Sequence, residues 1–197
     1  MTASKVPARA RERIERLCDT VTQTRQLRAA VLEQLRQVVQ FDWYVFVATD
    51  PRTCVGGDPL ADVPMLDELP RLIHLKYVTT VNRWTELGEP PVALLYESTA
   101  GQRERSQLWR ELLGPAGIVD IASIVFRDRF GCWGFLDLWR SGPAEPFTRA
   151  DASFLASIAP ALTDALRRGQ AATFAARPTD DRHRAPLVLL LSPELAI

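Results

Sequence analysis

Two long apolar runs on either side of a short polar turn constrain the fold of this chain more than any other feature. Residues 118–126 and 132–139 are rich in β-branched and aromatic side chains, and Asp128 and Arg129 lie in the turn between them. Runs of this composition around a polar turn predict a β-hairpin. Because each run is apolar at nearly every position, the rest of the chain must cover the hairpin on both faces.

Amphipathic segments at both ends of the chain are suited to cover one of these faces. Residues 24–38 carry apolar side chains at every third or fourth position, which predicts a helix, and a more polar helix over residues 9–18 precedes it. Thr148 begins the capping box T-R-A-D, and a second apolar helical face follows it. Pro160 lies inside this last helix and is expected to kink or split it.

Shorter elements lie between the terminal helices and the hairpin. Residues 41–48 (FDWYVFVA) and 92–96 (VALLY) predict strands, whereas helices are expected near residues 70–77 and 103–113. This order predicts an α/β fold of the α+β kind, in which an antiparallel sheet carries the terminal helices on one face and the middle segments on the other. The aromatic side chains of the hairpin favour this second face as the ligand-pocket side.

Charge and cysteine content exclude several classes of protein. Lys plus Arg and Asp plus Glu both number 24, whereas a nucleic-acid-binding domain usually carries a basic excess. The three cysteines are widely spaced, which suits neither a disulfide framework nor a zinc site. The N-terminal residues are charged where a signal peptide is apolar, and no run reaches the roughly 18 apolar residues of a membrane span. We therefore expect a cytoplasmic protein that contacts no membrane and holds no metal or cofactor.

Three segments of the chain resemble parts of the GAF domain, a small-molecule sensor fold. They are FDWYVFVATDP, IVDIASIVFRDRFGCWGFLDLWR and PFTRADASFLASIAPALTDALRR, and the second contains Gly134-Phe135-Leu136 in the place of the family's Gly-x-Leu pattern. The resemblance extends over residues 5–170. It implies a GAF-like antiparallel sheet and a sensory role.

Two further phrases give a narrower resemblance. PLADVPMLDELPRLIHLKYVTTVNRW and RFGCWGFLDLWR are similar to the N-terminal sensory domain of actinobacterial LuxR-type transcription regulators. In those proteins a helix-turn-helix domain binds DNA, and no segment of this chain has that pattern, so DNA contact is expected only through a downstream domain. The domain organisation expected from this resemblance is a sensory domain over residues 1–170, a linker over 171–186, and the start of a further segment, a truncated PAS-like strand, over 187–197. The chain is then either a fragment of a regulator or a gene product without an output domain.

The hairpin supplies the candidate ligand site. If it closes around Asp128 and Arg129, Asp120 lies opposite Asp137 on a face rich in aromatic side chains, where two buried like charges need a compensating partner. The expected ligand-binding residues are those on this face and on the first strand, namely Tyr44, Phe46, Asp120, Ala122, Ile124, Trp133, Phe135 and Asp137. The alternative is that the acids are solvated at the sheet edge and that the aromatic side chains only fill the core.

Three functions remain open from the sequence. The first is a sensory module that binds an unidentified small molecule and forms a homodimer through its terminal helices. The second is a dimerisation or interaction module that binds no ligand. The third is a GAF-type redox enzyme, such as a free methionine sulfoxide reductase, although Cys18, Cys54 and Cys132 do not match the clustered cysteines of that family. We expect no catalytic activity, and we interpret His74 as an ordinary helix residue rather than a haem ligand.

Overall fold

The computed structural model describes residues 5–175 of the chain. Five strands in this part form one sheet, and they are β1 (Trp43–Thr49), β2 (Gly56–Asp62), β3 (Val92–Leu94), β4 (Ile118–Asp128) and β5 (Gly131–Ser141). The helices are α1 (Lys5–Thr20), α2 (Thr24–Leu35), α3 (Leu69–Val78), α4 (Leu95–Ser98) and α5 (Arg149–Ala175). The strand order is β2-β1-β5-β4-β3, and every neighbouring pair is antiparallel. The expected α+β architecture is confirmed.

Helices α1, α2 and α5 cover one face of the sheet. The apolar face of α2, with Leu27, Val31 and Leu35, is buried together with the apolar face of α5. The sheet residues that belong to the same cluster are Phe46, Ala122, Ile124, Phe126, Leu136 and Leu138. We call this cluster the helix-side core. It confirms that the terminal helices pack on one face of the sheet.

The opposite face is covered by α3 and by the connecting residues 79–91 and 95–117. Their apolar side chains form a second cluster with the sheet residues that point this way, among them Val45, Val47, Ile121, Val125, Phe135 and Trp139. We call this cluster the α3-side core. Its largest members, Trp84 and Trp139, are fully buried. The face opposite the terminal helices therefore carries large buried aromatic side chains.

The register of the hairpin differs from the expected one. Asp120 pairs with Arg140 rather than with Asp137, and Asp137 pairs with Ser123. Since side chains alternate between faces along a strand, Asp120 points to the helices and Asp137 points to α3. The expected juxtaposition of the two acids is wrong.

The cause of this difference lies at the turn. The Asp128 carboxylate accepts hydrogen bonds from the N–H groups of Phe130 and Gly131 at 2.8 and 3.2 Å, so the hairpin closes one residue later than expected. A β-bulge then leaves Trp133 without a partner on β4. One extra residue in one strand reverses the faces of everything beyond it, and this separates the two acids.

The last helix begins as the sequence predicts and extends further than expected. Thr148 and Asp151 form the capping box, in which the Asp151 carboxylate accepts the Thr148 N–H and the Thr148 hydroxyl accepts the Asp151 N–H. The helix passes through Pro160 without a break and continues to Ala175, beyond the expected boundary at residue 170. The rest of the expected linker and the segment 187–197 lie outside the described residues. Neither α5 nor any other helix within residues 5–175 is long and apolar enough to cross a membrane.

A fully buried arginine attaches α2 to the first two strands. The Arg28 guanidinium donates to the carbonyl oxygens of Phe46 and Asp58 at 3.0 and 2.8 Å, and it forms an ion pair with the Asp58 carboxylate. Arg25 pairs with the same carboxylate from the surface. Desolvation lowers the pKa of Arg28 from its ordinary value, and the charge of Asp58 opposes that shift.

Replacing Arg28 by methionine is therefore expected to destabilise the protein by about 2–3 kcal/mol, because two carbonyl groups lose a charged donor. Arg25→Met is the matched control, since it removes an exposed charge from the same Asp58 and is expected to cost less than about 1 kcal/mol. Urea denaturation of both variants measures the difference. Equal losses would contradict the structural role of Arg28.

Candidate functional site

The eight residues expected to bind a ligand lie on both faces of the sheet. The bulge at Trp133 divides them between the two faces of the sheet. Those on the helix side are Tyr44, Phe46, Asp120, Ala122, Ile124 and Trp133, whereas Phe135 and Asp137 lie on the α3 side. The expectation of a single shared face is wrong, and the two carboxylates have to be considered separately.

The Asp120 carboxylate connects three segments of the backbone through hydrogen bonds. It is fully buried, and its carboxylate accepts hydrogen bonds from the N–H groups of Tyr96, Ile121 and Phe147 at 2.8–2.9 Å. Burial raises the pKa of Asp120, although the three N–H donors oppose that shift. Its oxygens thus connect β4 to the start of α4 and to the approach to α5.

Asp137 belongs to a buried polar cluster beneath α3. Its Oδ2 atom lies 3.2 Å from Lys76 Nζ, and its Oδ1 atom accepts a 2.9 Å hydrogen bond from Trp84 Nε1. Lys76 Nζ also donates to the Ser123 hydroxyl at 2.9 Å and to the Asn82 carbonyl at 3.2 Å. We call these five residues the Lys76–Asp137 cluster. A charged pair sits at its centre, and both side chains are at most 2% exposed.

Aromatic rings enclose this cluster. The rings of Trp84 and Phe135 are stacked with their centres 5.0 Å apart, and the ring of Tyr77 meets both edge-on. Lys76 Nζ lies 5.3 Å from the centre of the Trp84 ring. The apolar surroundings exclude water, and they strengthen the electrostatic interactions inside.

Several polar atoms of this region have no hydrogen-bond partner in the part of the chain that the structure describes. They are Asp137 Oδ2, which is in ion-pair contact with Lys76 but poorly aligned for a hydrogen bond, Asn82 Nδ2 and Trp139 Nε1. A buried polar group without a partner costs about 1–3 kcal/mol. Within the cluster, Asn82 Nδ2 is therefore a donor without a partner, and Asp137 Oδ2 has Lys76 beside it; Trp139 Nε1 is a further such donor in the surrounding α3-side core.

The pKa of Lys76 reflects the burial of the ion pair. Desolvation lowers it below its ordinary value, even though Asp137 acts in the opposite direction. Buried ion pairs often stabilise a protein no more than apolar residues of similar size, because desolvation offsets the attraction. This pair is thus poorly explained by stability alone.

Sequence reasoning found Asp137 and Phe135 but missed the residues that face them. Lys76 could have been singled out from the sequence, since it is one of only two lysines among 24 basic residues and lies in an apolar helix. Trp84 and Asn82 lie in an irregular connection, where no periodicity indicates which way a side chain points. Ser123 pairs directly with Asp137, so the correct register was needed to find it.

The fold itself is similar to solved GAF structures. The GAF domain of an Acinetobacter phosphoenolpyruvate-protein phosphotransferase superposes with a TM-score of 0.56 at 13% identity, covering 89% of this chain and 99% of that one. The GAF3 domain of the Synechocystis protein Slr1393 in its photoproduct state gives 0.52 at 16% identity, over 79% of this chain and 100% of that one. The chain therefore has the fold of these GAF domains.

An enzyme shares this fold as well. The free methionine-R-sulfoxide reductase from Neisseria meningitidis, solved with its substrate, gives a TM-score of 0.56 at 16% identity and covers 87% of this chain and 94% of that one. No protein-family model matches the sequence, and no curated protein matches it either. At these identities the likeness is one of fold.

If the ion pair is not needed for stability, its neutral replacement should be tolerated. We expect Lys76→Met alone to cost about 3–5 kcal/mol, because it leaves a buried carboxylate uncompensated. The double variant Lys76→Met/Asp137→Asn keeps an acceptor for Trp84. Its free energy of unfolding is expected to lie within about 1 kcal/mol of that of the wild type. Urea denaturation measures both, and a double variant as unstable as the single one would assign the pair to stability.

Proposed function

We propose that the chain is a sensory module of a transcription regulator and that it binds a small molecule at the Lys76–Asp137 cluster. The observation that carries this proposal is a buried ion pair with unpartnered polar atoms inside an aromatic enclosure. Ligand sites combine apolar walls with a few converging polar groups. The contribution of the other expected residues is structural in this proposal, since they lie on the helix side.

The sequence resemblance supports the regulatory part of the proposal. The two phrases similar to LuxR-type sensory domains cover residues 59–84 and 129–140, and these ranges contain four of the five residues of the cluster. DNA would then be bound by a separate domain, because this chain has no net positive charge. The three unpaired cysteines suit a cytoplasmic protein.

The thiols favour this function over the redox enzyme. A catalytic cysteine must be a thiolate, which burial opposes. Burial raises the pKa of Cys18 to about 11, and it also raises the pKa of Cys132. Cys54 is partly exposed and packs against the α3-side core, and its Sγ atom lies 3.8 Å from the Arg127 guanidinium.

A homodimer through the terminal helices is the second part of the proposal. Two grooves of about 520 and 450 Å³ lie beside β3 and residues 89–91, and α5 lines them with the small side chains of Ala152, Ala156 and Ala159 between charged residues at either end. Ala156 lines both grooves and is partly exposed. A helix with small residues on one side allows close approach of a second helix, which suits a dimer interface.

A ligand at the cluster is expected to raise the melting temperature of the wild type in a thermal-shift screen of small molecules. A compound present at 100 times its Kd should raise it by about 5–10 °C in a chain of this size. The double variant Lys76→Met/Asp137→Asn should lose the shift, whereas Arg25→Met, far from the cluster, should keep it. A compound that stabilises all three proteins equally would place its site elsewhere, and a screen without any hit would favour the module that binds no ligand.

The dimer is tested by light scattering at micromolar concentration. We expect a dimeric wild type, and we expect Ala156→Arg to yield monomers because it places a large charge in the groove. Ser157→Arg adds the same charge at the neighbouring exposed position of α5 and should remain dimeric. A monomeric wild type would overturn this part of the proposal.

A further inference from the structure

The indole of Trp84 makes the contacts that a bound ligand would make at the Lys76–Asp137 cluster. It stacks on Phe135 at an angle of 5° between the ring planes, and its Nε1–H donates to Asp137 Oδ1 at 2.9 Å. The Tyr77 ring meets the Trp84 ring edge-on, with the ring centres 5.7 Å apart, and Lys76 Nζ lies 5.3 Å from the centre of the Trp84 ring. All four contacts require only a planar ring with an N–H donor.

The loop that carries Trp84 is attached to the rest of the protein at few points. We define this Trp84 loop as residues 80–90, in which Trp84 and Leu87 are the buried side chains. Within residues 5–175, most hydrogen bonds of the loop stay inside it or reach the adjacent Thr79. Three further hydrogen bonds connect it to other elements, from Lys76 to the Asn82 carbonyl, from Trp84 to Asp137 and from Arg127 to the Thr85 carbonyl. Segments with so few bonds open at a lower free energy than the whole fold.

The indole leaves part of the site unused. Trp84 offers one donor and no acceptor. The unpartnered donor on the sheet is Trp139 Nε1, which lies on the same face of β5 as Asp137 and two residues further along, and an acceptor on the ring would suit it. A nitrogen heterocycle with a carbonyl beside its ring N–H would therefore satisfy more of the site than Trp84 does.

We propose that Trp84 is a built-in competitor of the ligand and that the ligand is a planar nitrogen heterocycle with a ring N–H and an adjacent acceptor. The heterocycle displaces the indole, stacks on Phe135 and donates its ring N–H to Asp137. The adjacent acceptor serves as the partner of Trp139 Nε1 on the sheet. This inference rests on the proposed function, because it names the ligand class of the same site.

The test uses the wild-type chain with three probes, which are oxindole, indole and 1-methylindole. The indole N–H resonances of the protein are followed by ¹⁵N NMR, and Trp84→Phe assigns the resonance of Trp84 among the five tryptophans. We expect indole and oxindole to shift the Trp84 resonance toward that of a solvent-exposed indole. The Trp109 resonance should not move, because its N–H donates to the Ile118 carbonyl outside the cluster.

The order of affinities tests the hydrogen bonds. Oxindole should bind more tightly than indole, because its carbonyl supplies the acceptor. 1-Methylindole lacks the N–H and should bind at least about tenfold more weakly than indole, as expected for one unmade buried hydrogen bond. Asp137→Asn should reduce the difference between indole and 1-methylindole, since the charged acceptor is gone.

Two results would overturn the inference. The first is a Trp84 resonance that stays unchanged at millimolar indole and oxindole, which would make Trp84 a fixed part of the core. The second is equal binding of indole and 1-methylindole. A screening hit without an aromatic N–H, lost in Lys76→Met/Asp137→Asn, would likewise overturn the ligand class while leaving the proposed function intact.

Discussion

The pairing of β4 with β5 decides what each face of the sheet can do. Both strands lie inside the sheet, and the bulge at Trp133 sets which of their side chains face the helices. That bulge is held in place from several sides, because Trp133 Nε1 donates to Asp128 at 3.0 Å and Arg167 of α5 pairs with the same carboxylate. Gly134 follows, where a Cβ atom would lie 2.9 Å from the Val47 carbonyl oxygen. The turn, the bulge and the last helix therefore fix one register together.

Two buried carboxylates on neighbouring strands have different roles as a result. The Asp120 carboxylate accepts hydrogen bonds from three backbone N–H groups, and this gives it a structural role. Asp137 meets Lys76 and Trp84, which both come from segments outside the sheet. A carboxylate bonded to the backbone stabilises the fold, whereas one bonded to side chains of other segments can exchange its partners when those segments move. The second arrangement is the one that suits a binding site.

The sequence predicted those parts of the fold that depend on local patterns. The hairpin, the apolar face of α2 and the capping box at Thr148 each follow from a few neighbouring residues, and the structure confirms them. The site was predicted only in part, since face assignment depends on the register and one bulge reverses it. No local pattern marks Trp133 as the bulged residue, because its position follows from contacts with Asp128 and α5. The inward direction of Trp84 is likewise decided by packing on Phe135.

The same strand connects the site to the terminal helices. Side chains alternate along β5. Phe135 and Asp137 face α3, whereas Leu136 and Leu138 belong to the helix-side core under α5. Since successive side chains belong to opposite faces, a displacement of the backbone on one face moves the contacts on the other. Protein cores are close-packed, so α5 cannot absorb such a shift without repacking. A ligand changes the arrangement of the helices only if it binds one arrangement more tightly. In the proposed exchange that difference would come from displacement of the Trp84 loop, since the ligand itself repeats the contacts of Trp84 with Phe135 and Asp137.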